Sequence, residues 1–209
     1  MYLFTRAGQF RAGSMRDAAA FATTVTEKVR QESDLDVHAW VSTMSAETGT
    51  CTWAAWVSSL EELEAANDKL AVSDQFNEIV EKGSELFVRP VVDGLANLVN
   101  GEIDPSAPLP AYVGVARAIA ANGHVADSIT AGVEIAEAAD RITGVPTRFL
   151  VDVTGPIGGC RWVSPYADIG ALQAAEEALA TDPSWAALID RVGIRYAQGA
   201  TQSIHRRIT

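Results

Sequence analysis

The side chains able to do chemistry are few enough here to weigh one at a time. His38 lies in Leu35-Asp-Val-His-Ala-Trp-Val-Ser-Thr-Met44, whose alternation reads as a strand with His38, Trp40 and Ser42 on one face. A histidine beside a tryptophan supplies a base that titrates near neutral pH and an aromatic wall for a flat ligand. The same residue would equally serve as a hydrogen-bonded group at a sheet edge. His124 stands just before a helical stretch and His205 in the last strand beside Arg206 and Arg207, so both are expected to face solvent. Arg148 and Asp152 share a strand face with Leu150 between them, and Arg6 and Arg161 are further strand arginines. If buried, such charges must pair with each other or hold a carboxylate-bearing ligand, because an unpaired buried charge is costly. Cys51 and Cys160 would need an adjacent base or cation to act as nucleophiles. Arg161 projects from the opposite strand face to Cys160, so both cysteines read as free structural thiols. The candidate set is therefore His38 as proton-transferring residue, with Trp40, Trp56, Arg148, Asp152 and Arg6 around a small ligand.

The elements that must position these residues occur twice. Cys51-Thr-Trp-Ala-Ala-Trp through Phe87 and Cys160-Arg-Trp through Tyr196 align without a gap at a constant shift of 109. Trp53 falls on Trp162, Leu63 on Leu172, Leu70 on Leu179, Phe76 on Trp185 and Phe87 on Tyr196. Because Trp53 and Trp162 repeat, they read as packing residues. The same shift sets His38 against Thr147, Ala39 against Arg148, Trp40 against Phe149, Thr43 against Asp152 and Trp56 against Pro165.

Each copy reads strand–helix–strand–strand–helix–strand. In the first, Tyr2–Phe10 is a strand, and Ser14 with Asp17 is placed to start a helix running to about Glu32, with Ala18, Phe21, Ala22, Val25 and Val29 on its apolar face. Cys51–Val57 is a strand, Ser59 and Glu62 start the next helix, Ser73 restarts it, and residues 88–98 return as a strand. In the second copy Asp182-Pro183 is a helix cap followed by proline at the first helical position. The turn-rich run 100–110 separates a first module, 1–99, from a second, 111–209. The fold class expected is α+β: two tandem ferredoxin-like βαββαβ modules packed sheet to sheet as a pseudo-symmetric α/β barrel, since one such module leaves a bare sheet face that a second can cover.

Composition narrows the function classes. A net charge of −11 and a pI near 4.6 argue against nucleic acid and anionic membrane surfaces, whose partners are rich in lysine and arginine. No apolar run approaches the roughly 18 residues of a membrane span, and the N-terminus lacks the apolar core of a secretory signal, so the cytoplasm is the expected location. Neither Cys-x-x-Cys nor His-x-x-x-His occurs, which argues against a metal site. Gly155-Pro-Ile-Gly-Gly159 leads into a strand and is a hairpin turn, not a phosphate loop. Serine-protease, kinase and dinucleotide fingerprints are absent.

On element order and duplication, the chain resembles the dimeric α/β-barrel superfamily in tandem fused form, closest to its NIPSNAP-like and antibiotic-biosynthesis-monooxygenase-like members. Several members of that superfamily bind heme through a helix histidine; residues 60–87 and 169–196 contain none, so no cofactor is expected. The resemblance also implies cofactor-independent oxygenases, whose sites combine asparagine, tryptophan and histidine. Here Tyr2–Phe10 lacks asparagine, while Trp40, Trp53, Trp56, Trp162 and His38 supply the other parts. The functions implied are a cofactor-independent monooxygenase, isomerase or cyclase on a small aromatic or apolar molecule, or a non-catalytic binding or assembly module. The expected partners are a small-molecule ligand and a second copy in a homodimer.

Overall fold

A computed structural model describes residues 1–209. The chain divides into two compact units, Met1–Leu95 with Arg206–Thr209, and Ala96–His205. In chain order, the elements are β1 (Tyr2–Gln9), α1 (Met15–Ser33), β2 (Val37–Thr43), β3 (Thr50–Val57), α2 (Leu60–Ala71), α3 (Asp74–Gly83) and β4 (Val92–Asn100). They recur as β5 (Tyr112–Ile119), α4 (Val125–Thr143), β6 (Arg148–Asp152), β7 (Gly159–Tyr166), α5 (Ile169–Thr181), α6 (Pro183–Gly193) and β8 (Thr201–Arg207). The fold is α+β, with repeated βαββαβ modules whose strands form a closed barrel in the order β1-β3-β2-β8-β5-β7-β6-β4. No helix is long and apolar enough to cross a membrane.

Helix ends follow local chemistry. Ser59 accepts from Glu62 N at 3.1 Å, Ser73 from Phe76 N at 3.1 Å, and Asp182 from Ser184 N at 2.7 Å, each meeting a helix N–H that has no partner within the helix. Ser14 does not cap α1. Its backbone, at φ −103° and ψ 11°, is not extended, so its hydroxyl makes no cap bond. His124 holds the same conformation before α4.

Each unit has its own core between helices and one sheet face. In the first, Ala18, Ala22, Val25 and Val29 of α1 meet Ala39, Cys51, Trp53 and Phe87. In the second, Ala131, Ile135 and Ala138 of α4 meet Phe149, Cys160, Trp162, Leu188 and Val192. The duplicated tryptophans keep one bond in common: Trp53 Nε1 donates to Ala22 O at 3.4 Å and Trp162 Nε1 to Gly132 O at 2.8 Å. Volume is exchanged beneath them. A Cβ on Gly132 would lie 2.1 Å from the Phe149 ring, whereas the first unit has Ala22 over Ala39. Conversely, a Cβ on Gly83 would lie 1.9 Å from Phe21, whereas the second unit has Val192 with Ala131. Close packing requires each enlargement to be matched by a loss opposite it.

Register corrects the repeat alignment. Val41 pairs with Cys51 and Ala39 with Trp53, as Val151 pairs with Cys160 and Phe149 with Trp162. The shift is therefore 110 up to the end of β2 and 109 from β3 onward. The extra residue lies in the first hairpin, residues 42–50 against 152–159. The true counterparts are His38 with Arg148, Ala39 with Phe149, Trp40 with Leu150 and Ser42 with Asp152.

Candidate functional site

Residues directly opposite in an antiparallel pair share a sheet face, and neighbours along a strand alternate. Cys51, Trp53, Ala55 and Val57 pack on the helices, so Thr52, Ala54 and Trp56 occupy the helix-free face of the first unit. Their partners Ala7, Thr5 and Leu3 on β1, and His38 and Trp40 on β2, lie there too. His38 and Trp40 are thus on one face, as alternation implied, and Trp56 joins them from β3. Arg6 is not among them. It pairs with Trp53 on the helix side, and its Nε and Nη2 donate to Asp93 at 2.7 and 2.8 Å. That bidentate bond holds the Arg6 guanidinium more firmly protonated than usual.

His38 is also engaged. Its side chain is 12% exposed, its Nδ1 bonds Arg30 Nη2, and its Nε2 lies 3.1 Å from Asp36 Oδ1 without making a hydrogen bond. Burial lowers its pKa, and Asp36 opposes the shift. Both ring nitrogens therefore face protein groups.

The second unit presents a different helix-free face. Phe149, Cys160 and Trp162 point to the helices, which leaves Arg148, Leu150 and Asp152 on β6 and Arg161 and Val163 on β7 facing away. Arg117, opposite Arg161, joins them from β5. Arg148 and Asp152 do not pair with each other. Arg148 Nε donates to Glu102 O at 3.0 Å, and burial depresses its pKa. Asp152 Oδ1 instead accepts from Arg161 Nε at 2.7 Å and also contacts Nη2, with the two side chains 11% and 5% exposed.

His205 departs from the solvent-facing expectation. Ile204 packs on Tyr166 and Leu172, on the helix side, so Ser203 and His205 turn to the helix-free face. Ser203 Oγ lies 2.9 Å from His205 Nε2, and Nδ1 is buried without a hydrogen-bond partner. Burial first, and Arg117 second, push the imidazole pKa down to about 4, so the ring is neutral at pH 7. His124 is 44% exposed, as expected. Cys51 and Cys160 are free and buried. Burial pushes Cys160 up to about 12 and Cys51 further, which leaves both inert as thiolates. No three His, Cys, Asp or Glu side chains come together as a metal would require.

Sequence reasoning missed Arg117, Ser203 and the burial of His205. The signal for Arg117 was present, as one arginine in line with Val113 and Val115 on an otherwise apolar strand face. The signal for His205 was masked by Arg206 and Arg207, whose charge made the whole segment look solvated.

No family model and no curated protein sequence matches the chain. Solved structures do. A candidate monooxygenase of Fusobacterium nucleatum superposes with a TM-score of 0.73 at 7% identity, covering 100% of this chain and 92% of that one. A candidate monooxygenase of Lactobacillus acidophilus gives 0.66 at 10% identity, covering 100% and 94%. An anthrone oxidase-like protein gives 0.68 at 11% identity, covering 100% and 91%. At these identities the likeness is one of fold, the dimeric α/β-barrel fold over the whole chain, and leaves the activity of this chain open.

Proposed function

We propose that the chain is a small-molecule-binding protein of the NIPSNAP-like and antibiotic-biosynthesis-monooxygenase-like kind, acting without a cofactor on a small aromatic or apolar substrate as a monooxygenase, isomerase or cyclase. The observation that carries this reading is the one-sided chemistry of the second unit. Asp152, Arg161 and Arg117 stand where the first unit has Ser42, Thr52 and Ala7. A role in holding the fold would be served alike in both copies, and a buried ion pair adds little stability that an apolar pair would not. Fixed charges on a mostly dry face are suited to orienting a polar ligand group or stabilising charge that develops on it. Arg148 and Asp152 are the substrate-facing residues of that face in this reading. Within the first unit, Trp40 and Trp56 are the aromatic residues of its own helix-free face.

The test is native mass spectrometry of the purified protein against its denatured mass, followed by thermal unfolding with a panel of small aromatic compounds. A ligand at a hundred times its dissociation constant stabilises by about 2.7 kcal/mol, well within reach of a melting shift. A bare chain whose melting no compound moves would sink the proposal. The engagement of His38 with Arg30 and Asp36 favours a second reading, a binding module without turnover. An H38A variant that turns substrate over unchanged removes His38 as the base, and binding with no turnover at all establishes the second reading.

A further inference from the structure

His38 and Arg30 meet at the start of β2. Arg30 stands in the last turn of α1, whose Val25 and Val29 pack on the helix side of the sheet, while His38 belongs to the helix-free face. The guanidinium reaches round the strand start, and its Nη2 bonds His38 Nδ1. Arginine donates and never accepts, so Nδ1 is the acceptor and the neutral ring carries its proton on Nε2. Nε2 lies 3.1 Å from Asp36 Oδ1, on a side chain 83% exposed. A second proton can enter only at Nδ1, where Arg30 already donates. Two donors then face each other and two positive charges adjoin, so the bond that holds Arg30 turns into repulsion. Asp36 and Arg30 are the charged groups acting on the ring. The Thr209 main chain reaches it from the chain end, and β3 sets uncharged Ala54 opposite.

The second copy lacks this arrangement. Its counterparts of Arg30, Asp36 and His38 are Asp140, Pro146 and Arg148. An aspartate and an arginine keep their charges across the neutral range, whereas an arginine holds a histidine only while the histidine is neutral.

We infer that Arg30 and His38 form a proton-operated latch between the last turn of α1 and the start of β2, closed while His38 is neutral and opened when Nδ1 takes a proton. Burial lowers the His38 pKa and outweighs Asp36, which raises it, so opening falls below the ordinary histidine value of 6.5. The unfolded state therefore takes its proton first as pH falls; acid weakens the latch and neutral pH restores it. The latch stands apart from ligand binding and needs no occupant.

The experiment is ¹⁵N NMR of the imidazole and guanidinium groups of the full chain from pH 8 to 5, with amide hydrogen exchange of residues 30–35 followed in parallel and corrected for the intrinsic effect of pH. At pH 8 the His38 proton is expected on Nε2. As His38 titrates, the Arg30 Nε signal should move with the same midpoint and exchange of 30–35 should quicken about tenfold, while residues 140–144 in α4 keep their rates. Arg30→Met removes donor and charge together, so the His38 midpoint should rise and the acid step in exchange should vanish. Arg30→Lys, which still donates and still carries its charge, should restore that step. A contact that merely packed α1 on the sheet would be served by either variant without a pH step. The wild-type titration stands by itself should a variant misfold. A proton on Nδ1 at pH 8, an Arg30 signal indifferent to the His38 midpoint, or an acid step retained in Arg30→Met overturns the latch.

Discussion

The helix-free faces of the two units have the same backbone and opposite chemistry. The first presents Trp40, Trp56, Leu3, Thr5, Thr52 and His38 on β1, β2 and β3. The second presents Arg117, Arg148, Asp152, Arg161 and His205 around Leu150 and Val163. On the helix sides the relation is reversed: the tryptophans, their bonds to α1 and α4, and the aromatic contacts to Phe87 and Tyr196 persist. The two copies thus keep the same packing on their helix sides and differ on their helix-free faces. That division makes the charged face the place to look for function.

The sharpest way to break the comparison is to make the second unit resemble the first. Arg161→Ala strands Asp152 as a buried unpaired charge and should cost about 3–5 kcal/mol in urea unfolding. The double change D152S with R161T, which copies Ser42 and Thr52, should recover most of that loss while abolishing ligand binding. A double variant as unstable as the single one would mean the pair is structural after all.

Acid should separate the units next. His205 is neutral in the fold with a pKa of about 4, against 6.5 when unfolded. The unfolded state therefore binds the extra proton as pH falls below 6.5, and stability is lost progressively until about pH 4. Between pH 7 and 4.5 the native protein should lose roughly 2–3 kcal/mol more than His205→Gln does. Equal losses would place His205 in water.

Smaller effects test the exchanged core volumes. Gly132→Ala should cost about 1–3 kcal/mol by driving a methyl into Phe149. In a Phe149→Ala background, which recreates Ala22 over Ala39, the same change should be neutral or stabilising. Smallest of all, Ser59→Ala should lower stability by about 1 kcal/mol through loss of the α2 cap, with no change in ligand binding.

Much of the fold was legible in advance because its signals are local. Strand alternation, the caps at Ser59, Ser73 and Asp182, and the spacing of Ala18, Ala22, Val25 and Val29 each act within a few residues. Even so, the constant shift of 109 misplaced every counterpart in β2, because a hairpin absorbs one residue without disturbing either strand pattern. Only the hydrogen-bonded register reveals where the extra residue went. The candidate site was legible in part. Alternation put His38 with Trp40 and Arg148 with Asp152 on one strand face each, as the register has them, but Arg6 fell on the far side of the sheet and Asp152 took Arg161 as its partner.

The sequence by itself determined two copies of one βαββαβ unit, the apolar face of α1 and the caps at Ser59, Ser73 and Asp182, since periodicity and turn chemistry encode them directly. Tertiary structure decided which charges meet. Arg161 and Asp152, or Ser203, His205 and Val115, come together through pairing between strands distant in the chain. No spacing within one strand can specify a partner that register alone supplies.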